Sequence, residues 1–122
     1  MTHAAKILAA LTLSLGLLST AYAGDDLWGK IANVQIAADG KLWFSMTAAA
    51  GTAAPSTYCK PGWAGLNLYV PKDHAEYPYY YAMLMTAVSK GKMVLVANAS
   101  IYDGSGPCDI TKTGYGMVIW GG

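Results

Sequence analysis

Hydrophobic and polar residues follow a loose period of two along segment 27–36, whose sequence is Leu-Trp-Gly-Lys-Ile-Ala-Asn-Val-Gln-Ile. A period of two is typical of a strand with one buried face. The pair Asp39-Gly40 follows and suits the positive φ angles of a tight hairpin turn. Alternation resumes from Lys41 to Thr47. We therefore predict that these two segments pair as an antiparallel hairpin.

The next two elements are a loop and a third strand. Segment 48–56 contains Ala, Gly, Thr, Ser and Pro but no large side chain, so we expect it to form a loop. After Pro61-Gly62, the alternating segment 64–70 predicts a third strand, and Pro71 ends it.

A helical period follows near residue 77. Pro78 suits a first turn, Glu76 suits the positive end of the helix dipole, and Gly91 suits the C-terminal end. The apolar positions follow the spacing i, i+3, i+4, i+7 and i+8, which places them on one face: Tyr80, Met83, Leu84, Ala87 and Val88. We predict a helix with one buried side.

Two further strands are predicted at Met93–Ala99 and Gly114–Trp120, separated by the turn-rich segment Asp103–Pro107. The chain is therefore expected to be mainly β with one helix, in the order β-β-β-α-β-β. This is the order of the five-stranded OB barrel, in which the helix closes one end between strands three and four. The alternative is an open sheet with the helix on one face.

The N-terminal segment 1–23 has the three parts of a signal peptide. A positive region ends at Lys6, an apolar run covers Ile7–Leu18, and Ala21-Tyr22-Ala23 forms a small-residue cleavage site. The alternative is an uncleaved anchor, but an apolar run of roughly 12 residues is shorter than the ~20 that span a bilayer. We expect cleavage before Gly24, no membrane insertion afterwards, and a single domain at 24–122 that is periplasmic or secreted.

Export would also affect the redox state of Cys59 and Cys108, the two cysteines of the chain. An oxidising compartment favours a disulfide between them, and such a bridge would contribute about 4 kcal/mol in the chain-entropy model. The alternatives are a free thiol and an intermolecular bridge.

The charge of segment 24–122 argues against nucleic acid as a partner. Seven of the eight lysines lie there beside seven acidic residues, and the chain contains no arginine. Binding to phosphates depends on clustered Lys and Arg, and the sequence contains no such cluster.

The segment Tyr77–Met93, with the apolar strand and Cys108 that follow, resembles small exported OB-fold proteins. These are related to the B subunits of subtilase cytotoxin and of pertussis-like, typhoid-type toxins. The resemblance covers roughly the second half of segment 24–122. In the toxin members it implies a ring of five identical subunits that binds sialylated glycans, and many other relatives are lone periplasmic proteins. No binding residue of the family is transferred to this chain.

Two groups of polar residues are candidates for a catalytic or metal-binding site. Asp73-His74-Ala-Glu76 contains an acid and a base that could act in catalysis. However, His74 is the single histidine of segment 24–122, and acidic residues are common where a helix begins. The segment Asp103-Gly-Ser-Gly, with Asp109 nearby, lacks the further carboxylates of a calcium loop. We expect no catalytic residue, metal or cofactor.

Aromatic residues are the main surplus, with four Trp and nine Tyr against one Phe. Tyr and Trp join apolar area to a polar group, which suits binding surfaces. Trp28, Trp43 and Trp120 fall inside predicted strands and are expected in the core. The candidate ligand-binding residues lie near the two cysteines or in the loop between the last two strands: Tyr58, Trp63, Tyr102, Asp103 and Ser105. The alternative is that these rings merely cover the disulfide.

The sequence thus predicts a non-enzymatic exported binding module that recognises a glycan or a protein through aromatic loops. A homo-oligomer is compatible with this hypothesis, and a pentamer is implied by the resemblance alone. The alternative is a structural or assembly protein of the bacterial envelope with an aromatic subunit interface.

Overall fold

The computed structural model describes residues 26–113 and 116–119, so the predicted leader and Trp120 lie outside the described residues. The regular elements are β1 (Leu27–Ile36), β2 (Leu42–Ala48), β3 (Leu68–Val70), α1 (Tyr77–Lys90), β4 (Met93–Val96), β5 (Cys108–Asp109) and β6 (Met117–Ile119). Short 3-10 turns occupy Pro55–Thr57, Trp63–Gly65, Ala99–Ile101 and Ile110–Thr113.

The six strands form one sheet in the order β5-β3-β2-β1-β4-β6, which curls into a half-barrel. Neighbouring strands are antiparallel except β3 and β5, which are parallel. The prediction of a mainly β chain with one helix is confirmed. The strand count differs from the predicted five because Cys108–Asp109 adds a strand of two residues beside β3. A strand that short has no period to detect in the sequence.

The predicted hairpin is confirmed. β1 pairs with β2 from Ile36 opposite Leu42 to Gly29 opposite Ala48, with one irregularity after Ile31. In the turn, Gly40 has a φ of +89° and its N–H donates to the carbonyl oxygen of Ala37 at 2.9 Å.

The main core fills the concave side of the sheet. Alternate residues of β2 and β3 point into it, and α1 covers it by packing against β1 and β6. The helix face predicted from spacing is confirmed, since Tyr80, Leu84 and Ala87 are buried while Met83 and Val88 pack against the core. Gly91 ends the helix in the left-handed region, with φ +61°, as predicted.

Three predicted strands are shorter than expected. Only Leu68–Val70 of the third segment pairs with β2, because residues 63–65 form a 3-10 turn. β4 ends at Val96, and Asn98 turns the chain with φ +59° while its N–H donates to Asp26 Oδ1 at 2.8 Å. The last strand covers Met117–Ile119, and residues 114, 115 and 120 lie outside the described ranges. Among the described residues, no helix has the length and apolar character needed to cross a membrane.

Candidate functional site

The outer face of β2 and β3 carries a second apolar cluster, separate from the main core. Trp43 and Tyr69 lie opposite each other in the register, with ring centroids 4.9 Å apart and ring planes tilted by 41°. Side chains alternate along a strand, so both rings point away from the core residues Phe44 and Leu68. Trp43 is therefore buried, as predicted for a strand residue, but in the outer cluster rather than in the main core.

Trp63 projects over this cluster from the tip of a tight turn. Gly62 N–H donates to the carbonyl oxygen of Leu66 at 2.8 Å, and Leu66 N–H donates to that of Trp63 at 3.0 Å. Leu66 is buried against Trp43 and anchors the turn. The Trp63 ring lies 6.4 Å from that of Trp43, tilted by 36°, and remains 44% exposed. We call Trp43, Trp63 and Tyr69 the outer aromatic cluster.

Two polar groups border the outer aromatic cluster. Lys41 Nζ lies 5.1 Å from the centroid of the Tyr69 ring, a cation–π contact, and 3.9 Å from Asp39 Oδ2. The indole Nε1–H of Trp43 is buried and has no acceptor within the part of the chain that the structure describes. A buried donor without an acceptor costs about 1–3 kcal/mol, and native proteins rarely retain one.

The predicted disulfide is confirmed and holds the Trp63 turn in place. Cys59 and Cys108 are bonded with Cα atoms 5.4 Å apart, and both are buried. Next to the bridge, Lys60 N–H donates to the carbonyl oxygen of Gly106 at 2.9 Å. A Cβ atom at Gly62 would lie 2.9 Å from both the Pro107 ring and the Trp43 ring, so a larger residue there would force these rings to shift. The bridge thus joins the turn to the segment that leads into β5.

The structure divides the predicted aromatic site. Trp63 belongs to the outer aromatic cluster, whereas Tyr58 and Tyr102 are half-buried and pack against the main core. The Tyr102 hydroxyl donates a hydrogen bond to the carbonyl oxygen of Asp109. Burial, with a smaller effect from the Asp109 charge, raises the pKa of Tyr102 well above its ordinary value. This placement agrees with the alternative that these two tyrosines cover the disulfide region.

Asp103 and Ser105 form a self-contained turn on the surface. Asp103 Oδ1 accepts hydrogen bonds from the Ser105 hydroxyl at 2.6 Å and from its N–H at 2.9 Å. These two hydrogen bonds hold the pKa of the Asp103 carboxyl below its usual value, and the bond from the Ser105 hydroxyl has the larger effect. Both side chains are exposed, and the carboxylate is engaged within its own loop.

His74, the base of the group before the helix, is engaged in local structure. His74 Nδ1 accepts a hydrogen bond from the Glu76 N–H at 3.0 Å, and its ring meets the edge of Tyr80 at 5.8 Å. Within residues 26–113 and 116–119, no three His, Cys, Asp or Glu side chains come together in a way that could hold a metal ion.

Two surface grooves share no residue with the outer aromatic cluster. One, of about 210 Å³, is lined by Glu76, Tyr79, Tyr80, Met83, Gly116 and Met117. The other, of about 370 Å³, lies between Lys30, Thr47, Ala48, Ala49 and Met93.

Sequence reasoning expected Trp43 in the core rather than in the binding site, and it missed Tyr69 altogether. Its neighbours Leu68 and Val70 are buried, so strict alternation in Leu-Tyr-Val places the tyrosine on the opposite face. The sequence therefore indicates which face Tyr69 occupies, but only the pairing of β2 with β3 shows that Tyr69 lies opposite Trp43.

Comparison with known proteins adds no family to this description, because no family model, curated protein or solved structure matches the chain.

Proposed function

We propose that the chain is a non-enzymatic exported binding module that recognises a glycan through the outer aromatic cluster. The observation that supports this most is Trp63, which is 44% exposed and backed by the rings of Trp43 and Tyr69. A rigid aromatic ring offers a flat apolar surface on which the C–H face of a sugar ring can stack.

The size and charge of the surface favour a glycan over other partners. A stable protein interface buries about 800 Å² on each partner, and the outer aromatic cluster presents a single strongly exposed ring. Single-stranded nucleic acid needs a basic groove beside its stacking residues. The cation described beside these rings is Lys41, which also lies near Asp39.

The topology supports an OB-like barrel for this module. β5 pairs with β3 at one edge of the sheet and β6 pairs with β4 at the other. If β5 and β6 together stand for the fifth strand of an OB barrel, the six strands correspond to five. OB barrels bind through the face of strands two and three, and Trp43 and Tyr69 lie on β2 and β3. Kinship with toxin B subunits, and the ring of five that it implies, stay hypotheses.

The proposed location is the periplasm or the exterior of a bacterial cell. The disulfide supports an oxidising compartment, where such bridges persist. The signal peptide proposed for segment 1–23 would direct the chain there.

A glycan array tests the proposal, using the protein produced with its own N-terminal segment and purified with the disulfide intact. We expect binding to one class of glycan, and a loss of about tenfold or more in affinity for Trp63→Ala. Tyr79→Ala is the matched control, because Tyr79 is 68% exposed but lies on α1. An array with no bound glycan, or equal losses for both variants, would overturn the proposal.

One observation favours the alternative of an envelope assembly protein. Tyr81 and Met85 are 40% and 38% exposed and lie one turn apart on α1, which suits a contact between subunits. Light scattering after size exclusion tests it. An oligomer that binds no glycan and dissociates on Tyr81→Ser would favour assembly over recognition.

A further inference from the structure

The groove between α1 and the start of β6 has a lining that the proposed glycan site does not use. Its volume is about 210 Å³, below the roughly 300 Å³ at which sites for drug-sized ligands begin. Gly116 and Met117 line it at the start of β6. The helix residues in the lining follow the spacing i, i+3, i+4 and i+7, which places them on one face: Glu76, Tyr79, Tyr80 and Met83. The groove therefore suits a compact group.

The walls of this groove are mostly apolar and polarisable. The Tyr79 side chain is 68% exposed, Met83 is half-buried, and Tyr80 and Met117 are buried. The face of a tyrosine ring is negative and attracts a cation, and the sulfur of methionine is polarisable. Such walls favour a cation that brings apolar surface of its own over a strongly hydrated ammonium group.

The charge at the groove is negative. Glu76 is the charged side chain in the lining, and within the described ranges its carboxylate makes neither a capping hydrogen bond nor an ion pair. Burial raises the pKa of the Tyr80 hydroxyl, and the negative charges of Asp109 and Glu76 raise it further. Both carboxylates therefore act on the Tyr80 ring, and the groove favours a cation over a neutral ligand of the same shape.

The start of α1 does not turn this groove into an anion site. An anion at a helix N-terminus is held by backbone N–H groups that have no partner within the helix. Here the N–H groups of Glu76, Tyr77, Tyr79 and Tyr80 already donate within the turn, and Pro78 has none. A bound anion would find no N–H donor in the first turn and would face the Glu76 carboxylate.

We propose that this groove is a second binding site, which takes a small organic cation of the quaternary ammonium class. The methyl groups of the ligand contact Tyr79 and Met83, and its charge lies near the Glu76 carboxylate. A quaternary nitrogen has no N–H, so it needs no hydrogen-bond acceptor from these apolar walls, whereas a primary ammonium group has three donors to satisfy. The site shares no residue with the outer aromatic cluster, so the two sites bind their ligands independently.

A titration with choline, followed by the NMR signal of the Met83 methyl group, tests the class of ligand. We expect choline to bind about tenfold more tightly than its neutral isostere, in which carbon replaces the nitrogen, and more tightly than ethanolamine. Sedimentation with phosphatidylcholine vesicles distinguishes the source. Binding to choline alone identifies a free solute, and binding to both identifies a lipid headgroup. Equal affinity for choline and the isostere, or no binding of choline and vesicles, would overturn the proposal.

Two pairs of variants test the place of the ligand. Glu76→Gln should lower choline affinity about two- to fivefold, and less at high salt, whereas Asp39→Asn makes the same change of charge in the hairpin turn and should have no effect. Tyr79→Leu should lower affinity about two- to fivefold, and Tyr79→Phe should keep it because the ring remains. Tyr81→Leu is the matched control, since Tyr81 is exposed on α1 outside the groove.

The outcome is independent of the glycan array. Glu76 and Tyr79 are exposed, so their variants should remain folded. Trp63→Ala should leave choline affinity unchanged, and Tyr79→Leu should leave glycan affinity unchanged. If Glu76→Gln and Asp39→Asn lower choline affinity equally, or if Tyr79→Leu and Tyr81→Leu do, the ligand does not lie in this groove and the inference fails while the proposed function stands.

Discussion

The two faces of β2 and β3 differ in how completely their side chains are buried and hydrogen-bonded. On the inner face, Leu42, Phe44, Leu68 and Val70 have no exposed area at all and carry no polar side-chain atoms. On the outer face, Trp43 and Tyr69 meet in a small cluster in which an indole N–H has no described acceptor and Trp63 is exposed. The same two strands thus present a closed surface on one side and an incomplete one on the other.

The difference shows which face serves stability and which can serve recognition. Burial of apolar side chains without polar groups stabilises the fold and leaves nothing for a partner to bind. The outer aromatic cluster retains exposed apolar area at Trp63, which a ligand could engage. Substitutions on the inner face should therefore affect stability, and those on the outer face should affect binding.

Phe44→Ala is expected to have the largest effect. Phe44 is fully buried, so its truncation leaves a cavity that costs about 3–5 kcal/mol of the free energy of unfolding. Urea denaturation measures the loss, and Phe44→Leu should cost less because it leaves a smaller cavity. A loss below 1 kcal/mol for Phe44→Ala would mean that the inner face is not the main core.

The double variant Cys59→Ala/Cys108→Ala should cost about 2–4 kcal/mol, because the bridge closes a loop with a sequence separation of 49. The bridge also positions the Trp63 turn, so glycan affinity should fall as well. Denaturation and binding are measured at a temperature where the variant is still folded. Unchanged affinity in the folded variant would show that the disulfide does not position the site.

Gly62→Ala should cost about 1–3 kcal/mol through overpacking, because its Cβ would lie 2.9 Å from both Pro107 and Trp43. Gly106→Ala is the matched control in the neighbouring loop, since a Cβ there meets nothing within 4 Å. Thermal unfolding of both variants measures the difference. Equal melting temperatures would show that the contact between Gly62 and Trp43 is loose.

Tyr102→Phe should have the smallest effect and one that depends on pH. The variant loses a hydrogen bond to Asp109, which costs about 1 kcal/mol near pH 7. Folding raises the pKa of Tyr102 above its ordinary 10.0, so the folded protein keeps a proton that the unfolded chain releases above about pH 10. Stability of the parent protein falls there, and its advantage over Tyr102→Phe shrinks. A constant difference from pH 7 to pH 11 would contradict this.

The sequence predicted an element wherever that element imposes a periodic pattern of residues or a backbone conformation that favours glycine. Alternation in 27–36 predicted β1, and Gly91 marked the end of α1 because the left-handed region favours glycine. The disulfide followed from a pair of cysteines in a chain expected to be exported. β5 could not be predicted, because two residues beside β3 become a strand only through a partner distant in sequence.

The candidate site was predicted only in part, because it depends on contacts between residues that are distant in sequence. The sequence predicts Trp63 in the site because it lies in a loop beside Cys59, and the structure places its ring over Trp43. Tyr58 and Tyr102 also lie near cysteines, but their rings turn toward the main core. Position along the chain shows which residues are near the bridge, whereas the direction of a loop side chain depends on tertiary contacts.

The central claim is tested most directly by measuring stability and glycan affinity together for one variant of each face. For Trp63→Ala we predict a loss of about tenfold or more in affinity by calorimetry, with a loss of only about 0.5–1.5 kcal/mol in the free energy of unfolding from the lost contact with the Trp43 ring. For Phe44→Leu we predict a loss of stability with affinity unchanged while the protein is folded. If both variants lose stability and affinity in the same proportion, the two faces do not have separate roles and the account is wrong.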